Sequence, residues 1–212
     1  LYHCMNASYG HWPQTLPPLM RGFIAAAQAA RARAVYGDNL YSYGPVSGPV
    51  REGLPPTHTG RNVRVRTELA ELLLEADRTG KVRAAIGRAS DFFGPEVLQS
   101  SLGNRVFPAL LDGRSAQVLG NPDLPHTFTF IEDFAGALVV LGTREEALGS
   151  VWHVPSAPTV TAREMVTQAG ELAGVPGRIS VAPSLFIRAM GLVNPTMRAV
   201  AEVLYQVERP WV

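Results

Sequence analysis

Cysteine and long apolar runs are scarce in this chain of 212 residues. Its one cysteine, Cys4, precludes an internal disulfide and fits a reducing compartment. No apolar run approaches the roughly 18–20 residues that span a bilayer, since the stretch FAGALVVLG at 134–142 is too short. No signal peptide is visible either. We therefore expect a cytoplasmic protein without a membrane partner.

Strong charge of either sign is also missing. The formal net charge is +1, with 19 basic and 18 acidic residues, so the charge balance gives no reason to expect nucleic acid as a partner. Only one of the basic residues, Lys81, is a lysine. Hydrophobic residues make up 46% of the chain, which is enough for a sizeable core. A globular protein that acts on a small molecule is therefore expected.

Predicted strands and helices alternate along the chain, which indicates a parallel sheet covered on both faces. The apolar patterns predict strands at 1–5, 34–41, 82–88, 114–119, 126–131 and 151–154. They predict helices over about 17–32, 62–78, 102–112, 133–141 and 162–173, before a mostly helical C-terminal region. Pro17 and Pro18 are expected in the first turn of their helix. Thr161 and Glu164 have the spacing of a capping box, and the Pro- and Gly-rich segment 44–60 predicts a long loop.

Four segments carry a resemblance to a known family. They are residues 1–6 (LYHCMN), 33–45 (RAVYGDNLYSYGP), 85–95 (AIGRASDFFGP) and 126–135 (HTFTFIEDFA). In this order and spacing the chain resembles the extended, atypical short-chain dehydrogenase/reductases, the NAD-dependent epimerase/dehydratase family. The first three segments look like the fourth, fifth and sixth strands of that family's Rossmann domain. The fourth looks like its Arg-Asp-Phe-x-x-Val-x-Asp-Val-Ala signature, with Phe128, Asp133 and Ala135 matching.

The resemblance implies an α/β fold with a Rossmann-like parallel sheet, the C-terminal part of a doubly wound domain, and a smaller, mostly helical substrate-binding subdomain. Residues 1–94 and 126–154 would form the partial NAD(P)-binding domain, and residues 95–125 and 155–212 the substrate-binding subdomain. The family's Gly-rich loop would lie before residue 1, so we expect the chain to be a fragment. The implied cofactor is NAD or NADP. Relatives often dimerise through the helices that correspond to the first two predicted here, which makes a homodimer an expectation.

The family's catalytic Tyr-x-x-x-Lys pair has no counterpart in the sequence. The residue four places before Lys81 is Asp77. The helix positions that the resemblance marks contain no phenol: they hold Gly60 with Arg64, or Val63 with Thr67. Arg64 offers charge and ribose contacts but cannot shuttle a proton. The alternative is a solvated face formed by three arginines of this helix, Arg61, Arg64 and Arg66.

Asn39 and Tyr41, which precede this helix in the chain, are candidates to replace the missing catalytic pair. Asn39 stands where the family has a catalytic Ser or Thr, and it either orients the substrate or satisfies backbone at a strand end. Tyr41 is expected on the same strand face, as either a substitute acid or a packed core residue. The catalytic candidates are therefore Asn39, Tyr41 and Arg64.

Most of the cofactor and substrate candidates lie at or just beyond the predicted strands, and Arg64 lies on the helix that follows. The cofactor candidates are His3, Asn6, Asn39, Arg64 and Arg88. The substrate candidates are Asp91, which follows the sixth strand, and His126, which stands where sugar-nucleotide enzymes of the family carry an arginine. Because histidine is a weaker anion clamp at neutral pH, His126 argues against a nucleoside-diphosphate sugar. The alternatives are that Asp91 caps a turn and that His126 is a hydrogen-bonded loop residue.

No metal site is expected. Four histidines have no carboxylate or cysteine partner at metal-ligand spacing: His3, His11, His58 and His153. The resemblance favours an NAD(P)-dependent epimerase/dehydratase-like oxidoreductase acting on a carbinol or carbonyl compound. The alternatives are a non-catalytic dinucleotide-binding or regulatory protein that has lost the Tyr-x-x-x-Lys pair, and a structural subunit. Fold alone does not choose among these functions.

Overall fold

The computed structural model describes residues 1–57 and 59–212. It divides into two compact units. The sheet unit comprises Leu1–Gly44, Val50–Ala89 and Glu132–Pro155, and the second unit comprises Pro45–Pro49, Ser90–Ile131 and Ser156–Val212. The predicted division into cofactor-binding and substrate-binding domains stays a prediction. Within the described residues, none of the helices combines the length and the apolar character that crossing a bilayer requires.

Strands and helices alternate through much of the chain. The strands are β1 (Tyr2–His3), β2 (Arg33–Asn39), β3 (Arg83–Ala89), β4 (Asp91–Phe93), β5 (Ala116–Leu119), β6 (Pro125–His126), β7 (Phe128–Phe130), β8 (Val151–His153), β9 (Val160–Thr161) and β10 (Ile179–Ala182). The α-helices are α1 (Trp12–Ala30), α2 (Arg61–Arg78), α3 (Phe107–Leu111), α4 (Ile131–Thr143), α5 (Ala162–Ala173), α6 (Ser184–Met190), α7 (Pro195–Ala201) and α8 (Tyr205–Glu208). Short 3₁₀ turns cover Tyr9–His11, Leu40–Tyr43 and Glu145–Ala147.

Four parallel strands form the sheet of the sheet unit, in the order β1-β2-β3-β8. β2 and β3 are direct neighbours along their whole length, with Asp38 opposite Arg88. The strands predicted at 34–41 and 82–88 therefore lie side by side, and the predicted Rossmann-like parallel sheet is confirmed.

The first helix begins earlier than its prolines suggest. α1 starts at Trp12, so the prediction that Pro17 and Pro18 occupy its first turn is wrong. Pro13 takes the early position, and the other two prolines lie inside the helix, where their missing N–H groups remove two intrahelical hydrogen bonds. Burial of an apolar stripe offsets this loss. The stripe consists of Leu16, Met20, Phe23 and Ala27.

Helices cover both faces of this sheet. α1 and α2 pack on one face, and α4 packs on the other through Leu138. Gly37 and Gly87 lie opposite each other in β2 and β3 and leave room for this side chain. A Cβ on Gly87 would lie 2.6 Å from Leu138 Cδ2, and one on Gly37 would lie 3.2 Å from Leu138 Cδ1. Because side chains alternate along a strand, Tyr36 and Asp38 face α1 and α2.

The second unit contains short strand pairs and helices. β4 pairs with β7 and β5 pairs with β10, both in parallel, and β6 pairs with β9 antiparallel. Apolar side chains from several elements form its core: Leu102, Val106, Leu110, Ala116, Val118, Phe128 and Val166. Its largest helix confirms the predicted capping box, because Glu164 N–H donates to Thr161 Oγ1 at 3.1 Å and Thr161 N–H donates to Glu164 Oε2 at 2.7 Å. β10 lies in the region predicted to be helical.

Candidate active site

Three charged side chains are buried together near the carboxyl end of the sheet. Asp38 in β2 and Arg88 in β3 lie opposite each other, and α2 contributes Arg66. Asp38 is 2% exposed, and each arginine is 5% exposed. Open α/β sheets bind ligands outside the carboxyl ends of their strands, so a ligand site is expected at this position.

Tyr36 fixes the geometry of this group, because its hydroxyl accepts one hydrogen bond and donates another. Its hydroxyl accepts a hydrogen bond from Arg66 Nη1 at 2.7 Å and donates one to Asp38 Oδ1 at 3.2 Å. Asp38 Oδ2 accepts from Arg88 Nε at 2.9 Å, and Arg66 Nη1 lies 3.6 Å from Asp38 Oδ1. We call these four residues the arginine cluster.

The arginine cluster carries more positive than negative charge. Burial alone would lower the pKa of Arg66, but Tyr36 and Asp38 beside it raise that pKa by more. Burial also opposes the charge on Arg88, whose pKa Asp38 and Tyr43 raise in the same way. Both guanidinium groups therefore stay protonated, and two cations face one carboxylate. An anionic group on a ligand would compensate the remaining buried charge.

Arg66, not Arg64, is the arginine of α2 that reaches this site. Arg64 lies on the exposed side of the helix, and the interpretation that places Arg66 on a solvated face is wrong, because Arg66 is buried. Helical spacing explains this, since Arg66 lies three and seven residues before the buried Leu69 and Leu73. Asn62, four residues before Arg66, is buried as well. These two residues have the spacing of a Tyr-x-x-x-Lys pair, with an amide and a guanidinium in place of a phenol and an ammonium.

Tyr41 lies in the 3₁₀ turn that follows β2, because the strand ends at Asn39 and does not reach Tyr41 as predicted. Asn39 Oδ1 accepts a hydrogen bond from Tyr41 N–H at 3.1 Å, which is the contact that the strand-end interpretation of Asn39 describes. The Tyr41 hydroxyl lies 2.8 Å from the hydroxyl of Tyr9. Tyr9 lies in a short turn before α1, where no hydrophobic periodicity marks it in the sequence. We call Tyr9 and Tyr41 the tyrosine pair.

Trp12 joins the tyrosine pair to the arginine cluster. Its ring stacks on Tyr9 at a centroid distance of 4.5 Å and on Tyr41 at 6.2 Å. The Arg66 guanidinium carbon lies 4.3 Å from the centroid of the same ring, in a cation–π contact. A permanent positive charge therefore lies close to two paired phenol hydroxyls.

Two of the predicted cofactor residues lie next to the arginine cluster. Asn6 Oδ1 accepts a hydrogen bond from Arg66 Nη2 at 3.3 Å. His3 is fully buried, with its ring edge-on to Phe23 at 5.1 Å and to Tyr36 at 5.3 Å. Neither ring nitrogen of His3 has a hydrogen-bond partner among the described residues. Burial lowers the pKa of His3, so we expect a neutral ring that packs beneath the cluster.

The turn tyrosine, Tyr43, is held in place by its neighbours. The Arg88 guanidinium carbon lies 5.0 Å from its ring centroid, and its hydroxyl lies 2.9 Å from His153 Nε2. Glu52 Oε1 accepts a hydrogen bond from the backbone N–H of His153 at 2.5 Å. Burial lowers the pKa of His153, which favours a neutral imidazole. Tyr43 therefore anchors the turn that follows β2.

The two predicted substrate residues meet in the second unit. His126 Nε2 lies 3.2 Å from Asp91 Oδ2, close enough for an ion pair but without the alignment of a hydrogen bond. The His126 ring stacks on Phe128 at 4.6 Å. Burial would raise the pKa of Asp91, but the neighbouring His126 and Ser101 together lower it by more, and the pKa lies below its usual value. Asp91 is therefore ionised at neutral pH.

Metal-ligating groups are not clustered in the part of the chain that the structure describes. No set of three or more His, Cys, Asp or Glu side chains within it has the arrangement to hold a metal ion. Of the four histidines considered above, His58 lies outside the described residues.

Solved structures similar to this chain share one fold. No family model and no curated protein matches the sequence. A Bacillus cereus UDP-glucuronic acid 4-epimerase in complex with NAD is similar, with a TM-score of 0.67 and 16% identity over 78% of this chain and 55% of that chain. A dTDP-glucose 4,6-dehydratase from Bacillus anthracis in complex with NAD gives a TM-score of 0.73 and 15% identity, over 86% of this chain and 59% of that one. An epimerase from Methanothermobacter thermautotrophicus gives a TM-score of 0.73 and 20% identity, over 86% of this chain and 59% of that chain.

The chain thus spans 55% to 59% of the length of these structures. Identities of 15% to 20% show a shared fold and leave the chemistry open. The resemblance read from the four sequence segments is confirmed at this level: the chain has the α/β fold of the epimerase and dehydratase structures.

Proposed function

We propose that this chain belongs to an NAD(P)-dependent, epimerase/dehydratase-like oxidoreductase that acts on a carbinol or carbonyl compound. The observation that carries the proposal is the buried Arg66, which lies at the Lys position of a Tyr-x-x-x-Lys spacing and contacts Tyr36, Trp12 and Asn6. It supplies a fixed cation at the carboxyl edge of a parallel sheet, where such folds hold nucleotides. The similar structures that contain NAD support the same cofactor class.

The residues present fit a dinucleotide in two respects. The arginine cluster has an uncompensated positive charge, which suits a ligand with phosphate groups. Arg66 Nε is buried and has no hydrogen-bond partner among the described residues, so it can donate to a ribose hydroxyl or a carboxamide oxygen. Arg66, Arg88 and Asn6 are the residues proposed to hold the cofactor. Bound NAD(P) would supply or accept the hydride.

The protein's own part in such a reaction is to hold a proton and to fix charge. The tyrosine pair provides two hydroxyls 2.8 Å apart, so a proton given up by Tyr41 can be replaced from Tyr9. The Arg66 cation, on the Trp12 ring that stacks on both tyrosines, favours the phenolate that forms in between. Arg66 itself keeps its proton. Asn39 is a positioning residue in this scheme, because its amide oxygen orders the Tyr41 backbone.

A non-catalytic dinucleotide-binding or regulatory protein is the second candidate. One observation favours it: Tyr41 is 9% exposed and packs near Trp12, so its phenol has little open surface for a substrate. In this case the cofactor would bind and no turnover would follow. A homodimer stays a prediction under either function.

Turnover separates the two functions. The full-length protein is incubated with NADH or NADPH and a panel of sugar, steroid and aldehyde substrates, and cofactor oxidation is followed by absorbance. The enzyme proposal expects oxidation with at least one substrate and a loss of about 10²-fold or more in Tyr41→Phe, because general acid catalysis contributes factors of this size. Cofactor binding without oxidation of any panel member supports the regulatory alternative. An unchanged rate in Tyr41→Phe contradicts the tyrosine role.

A further inference from the structure

A pocket lies at the amino-terminal edge of the parallel sheet, where α1 and α2 end and where β2 and β3 begin. Its volume is ≈ 320 Å³, which lies at the lower end of the range of small-molecule sites. Arg33 at this edge precedes Asp38 of the arginine cluster by five residues of β2, or about 16 Å. The pocket is therefore separate from the arginine cluster, and we call it the basal pocket.

Positive charge dominates the lining of the basal pocket. None of the described lining residues is acidic, and four are basic: Arg31, Arg33, Lys81 and Arg83. Arg33 and Arg83 share one carboxylate, that of Glu145, whose Oε2 lies 2.7 Å from Arg33 Nη2. Arg31 and Lys81 are exposed, and neither forms an ion pair within the part of the chain that the structure describes. These two cations are therefore available to a ligand.

The acidic side chains at this end of α2 are engaged elsewhere. Asp77 Oδ1 accepts a hydrogen bond from Ala84 N–H at 2.7 Å, and Glu75 pairs with Arg78 on the same helix. Neither carboxylate lines the basal pocket. The other helix at this edge, α1, contains no acidic residue. The side chains around the pocket therefore leave its positive charge largely uncompensated.

The carboxyl ends of α1 and α2 oppose this positive charge only in part. Each helix end carries roughly half a negative charge, and its last carbonyls are capped. Arg31 N–H donates to Gln28 O at 3.1 Å, and Lys81 N–H donates to Ala76 O at 2.9 Å. The two helix ends and Glu145 together amount to about two negative charges against the four basic side chains. The remaining charge of about +2 matches a phosphate dianion or a diphosphate group.

The backbone of Arg31 adopts a costly conformation at the basal pocket. Its φ is 51°, in the left-handed region, where the residue that ends a helix is usually glycine. α2 follows the usual rule, because Gly80 takes this role in the turn after the helix, with φ 71°. Among the described residues, only Arg31 and Glu96 combine a side chain with a positive φ. Since such conformations concentrate at ligand sites, an arginine at this position indicates a role for its side chain.

We propose that the basal pocket binds a small molecule that carries a phosphate or diphosphate group. Arg31 and Lys81 supply the unpaired cations, and the side-chain amide of Gln28, which also lines the pocket, adds a neutral donor. A concave site of this volume suits a compact anion better than an extended polyanion. The site is additional to the cofactor site of the proposed function and does not depend on it.

The lysine of the basal pocket provides a specific reporter, because Lys81 is the only lysine in this chain. The full-length protein is labelled with isotope-enriched lysine, and the backbone amide signal that disappears in Lys81→Arg identifies Lys81 by NMR. Inorganic pyrophosphate is then titrated, with sodium chloride at equal ionic strength as the control. We expect pyrophosphate alone to shift the Lys81 signal to saturation. No shift, or the same shift with chloride, would overturn the proposal.

Two glutamine variants of α1 locate the binding. Arg31→Gln removes a charge from the pocket, and Arg21→Gln removes the same charge from an exposed position about 15 Å away on the same helix. Pyrophosphate affinity should fall by about tenfold or more in Arg31→Gln, because a charge-assisted contact is lost. It should change by about twofold or less in Arg21→Gln at 0.1 M salt, which screens charges at this distance. Unchanged affinity in Arg31→Gln, or equal weakening in both variants, would contradict the proposal.

The conformation of Arg31 gives an independent check. Arg31→Gly should weaken pyrophosphate binding as Arg31→Gln does, and yet raise the urea midpoint, because glycine adopts a positive φ without steric cost. Binding and stability would then move in opposite directions, which is expected where a strained residue serves a ligand. A urea midpoint that falls in Arg31→Gly, together with unchanged pyrophosphate affinity, would contradict the role given to Arg31.

Discussion

Arg66 and Arg64 lie two residues apart on α2 and offer a direct test of the buried cluster. Arg66 is 5% exposed and Arg64 is exposed. Replacing each with methionine keeps a long, flexible stem and removes one positive charge. The structure predicts that the two substitutions differ strongly in their effect on the free energy of unfolding.

The size of the Arg66→Met effect follows from the contacts that are lost. The hydrogen bond to Tyr36 at 2.7 Å involves a charged donor and contributes about 1.5–3 kcal/mol. The contact with the Trp12 ring at 4.3 Å contributes about 1 kcal/mol more. Asp38 keeps Arg88 as a partner at 2.9 Å, so the full cost of an unpaired buried charge does not arise. We expect a loss of about 2–4 kcal/mol, against about 0.5 kcal/mol or less for Arg64→Met.

Urea unfolding followed by far-UV circular dichroism measures both values. The slope of unfolding free energy against urea should stay the same in the two variants, so that the midpoints can be compared. Arg66→Lys keeps the charge but loses the planar guanidinium group. Its urea midpoint should therefore lie between those of wild type and Arg66→Met. Equal midpoints for Arg66→Met and Arg64→Met would refute the burial and pairing described above.

Three further predictions concern other parts of the molecule. Burial lowers the pKa of His3 below its ordinary value of 6.5, so the unfolded chain binds more protons than the folded one. Stability should then fall as the pH drops from about 7 to 5.5, and His3→Leu should flatten this dependence in urea titrations. Gly87→Ala should lower the unfolding free energy by about 1–3 kcal/mol through overpacking, whereas Gly22→Ala, with open space around its Cβ, should raise it by about 0.5–1 kcal/mol. Thr161→Ala should cost about 1 kcal/mol in the same assay through the lost cap, and no change would contradict the capping box.

Local patterns were sufficient for most of the regular elements. The alternating apolar runs that became β2 and β3 and the leucine spacing of α2 depend on short-range periodicity, which a sequence displays directly. The capping box at Thr161 is equally local. The predicted start of α1 is wrong, because proline favours first turns in general. The buried stripe that keeps the helix intact beyond Pro17 and Pro18 is a tertiary effect.

The arginine cluster depended on contacts that the sequence does not display. Arginines usually remain exposed, which favours placing Arg66 with its solvated neighbours although it lies in register with Leu69 and Leu73. The burial of Arg66 requires contacts with Tyr36 and Asp38, which lie in β2. The one available signal was the helical stripe itself, which runs through Asn62 and Arg66 and bypasses Arg64.

Sequence patterns identify one member of the tyrosine pair and both members of the pair of Asp91 with His126. The sequence marks Tyr41 as a candidate, but its partner Tyr9 lies 32 positions earlier in a turn without periodicity. Asp91 is a substrate candidate because it follows the sixth strand, and His126 is one because it stands where the resemblance places an arginine. Their contact follows because β4 pairs with β7, next to β6, a pairing between segments that are distant in the chain.

NADH affinity in the two arginine variants tests the central claim most directly. The full-length protein, Arg66→Met and Arg64→Met are titrated with NADH, and the cofactor fluorescence gives the dissociation constant of each. The account predicts binding by wild type and Arg64→Met, and affinity weaker by about tenfold or more in a folded Arg66→Met, because a charge-assisted contact is lost. Equal affinity in all three proteins, or no binding by any of them, would contradict it.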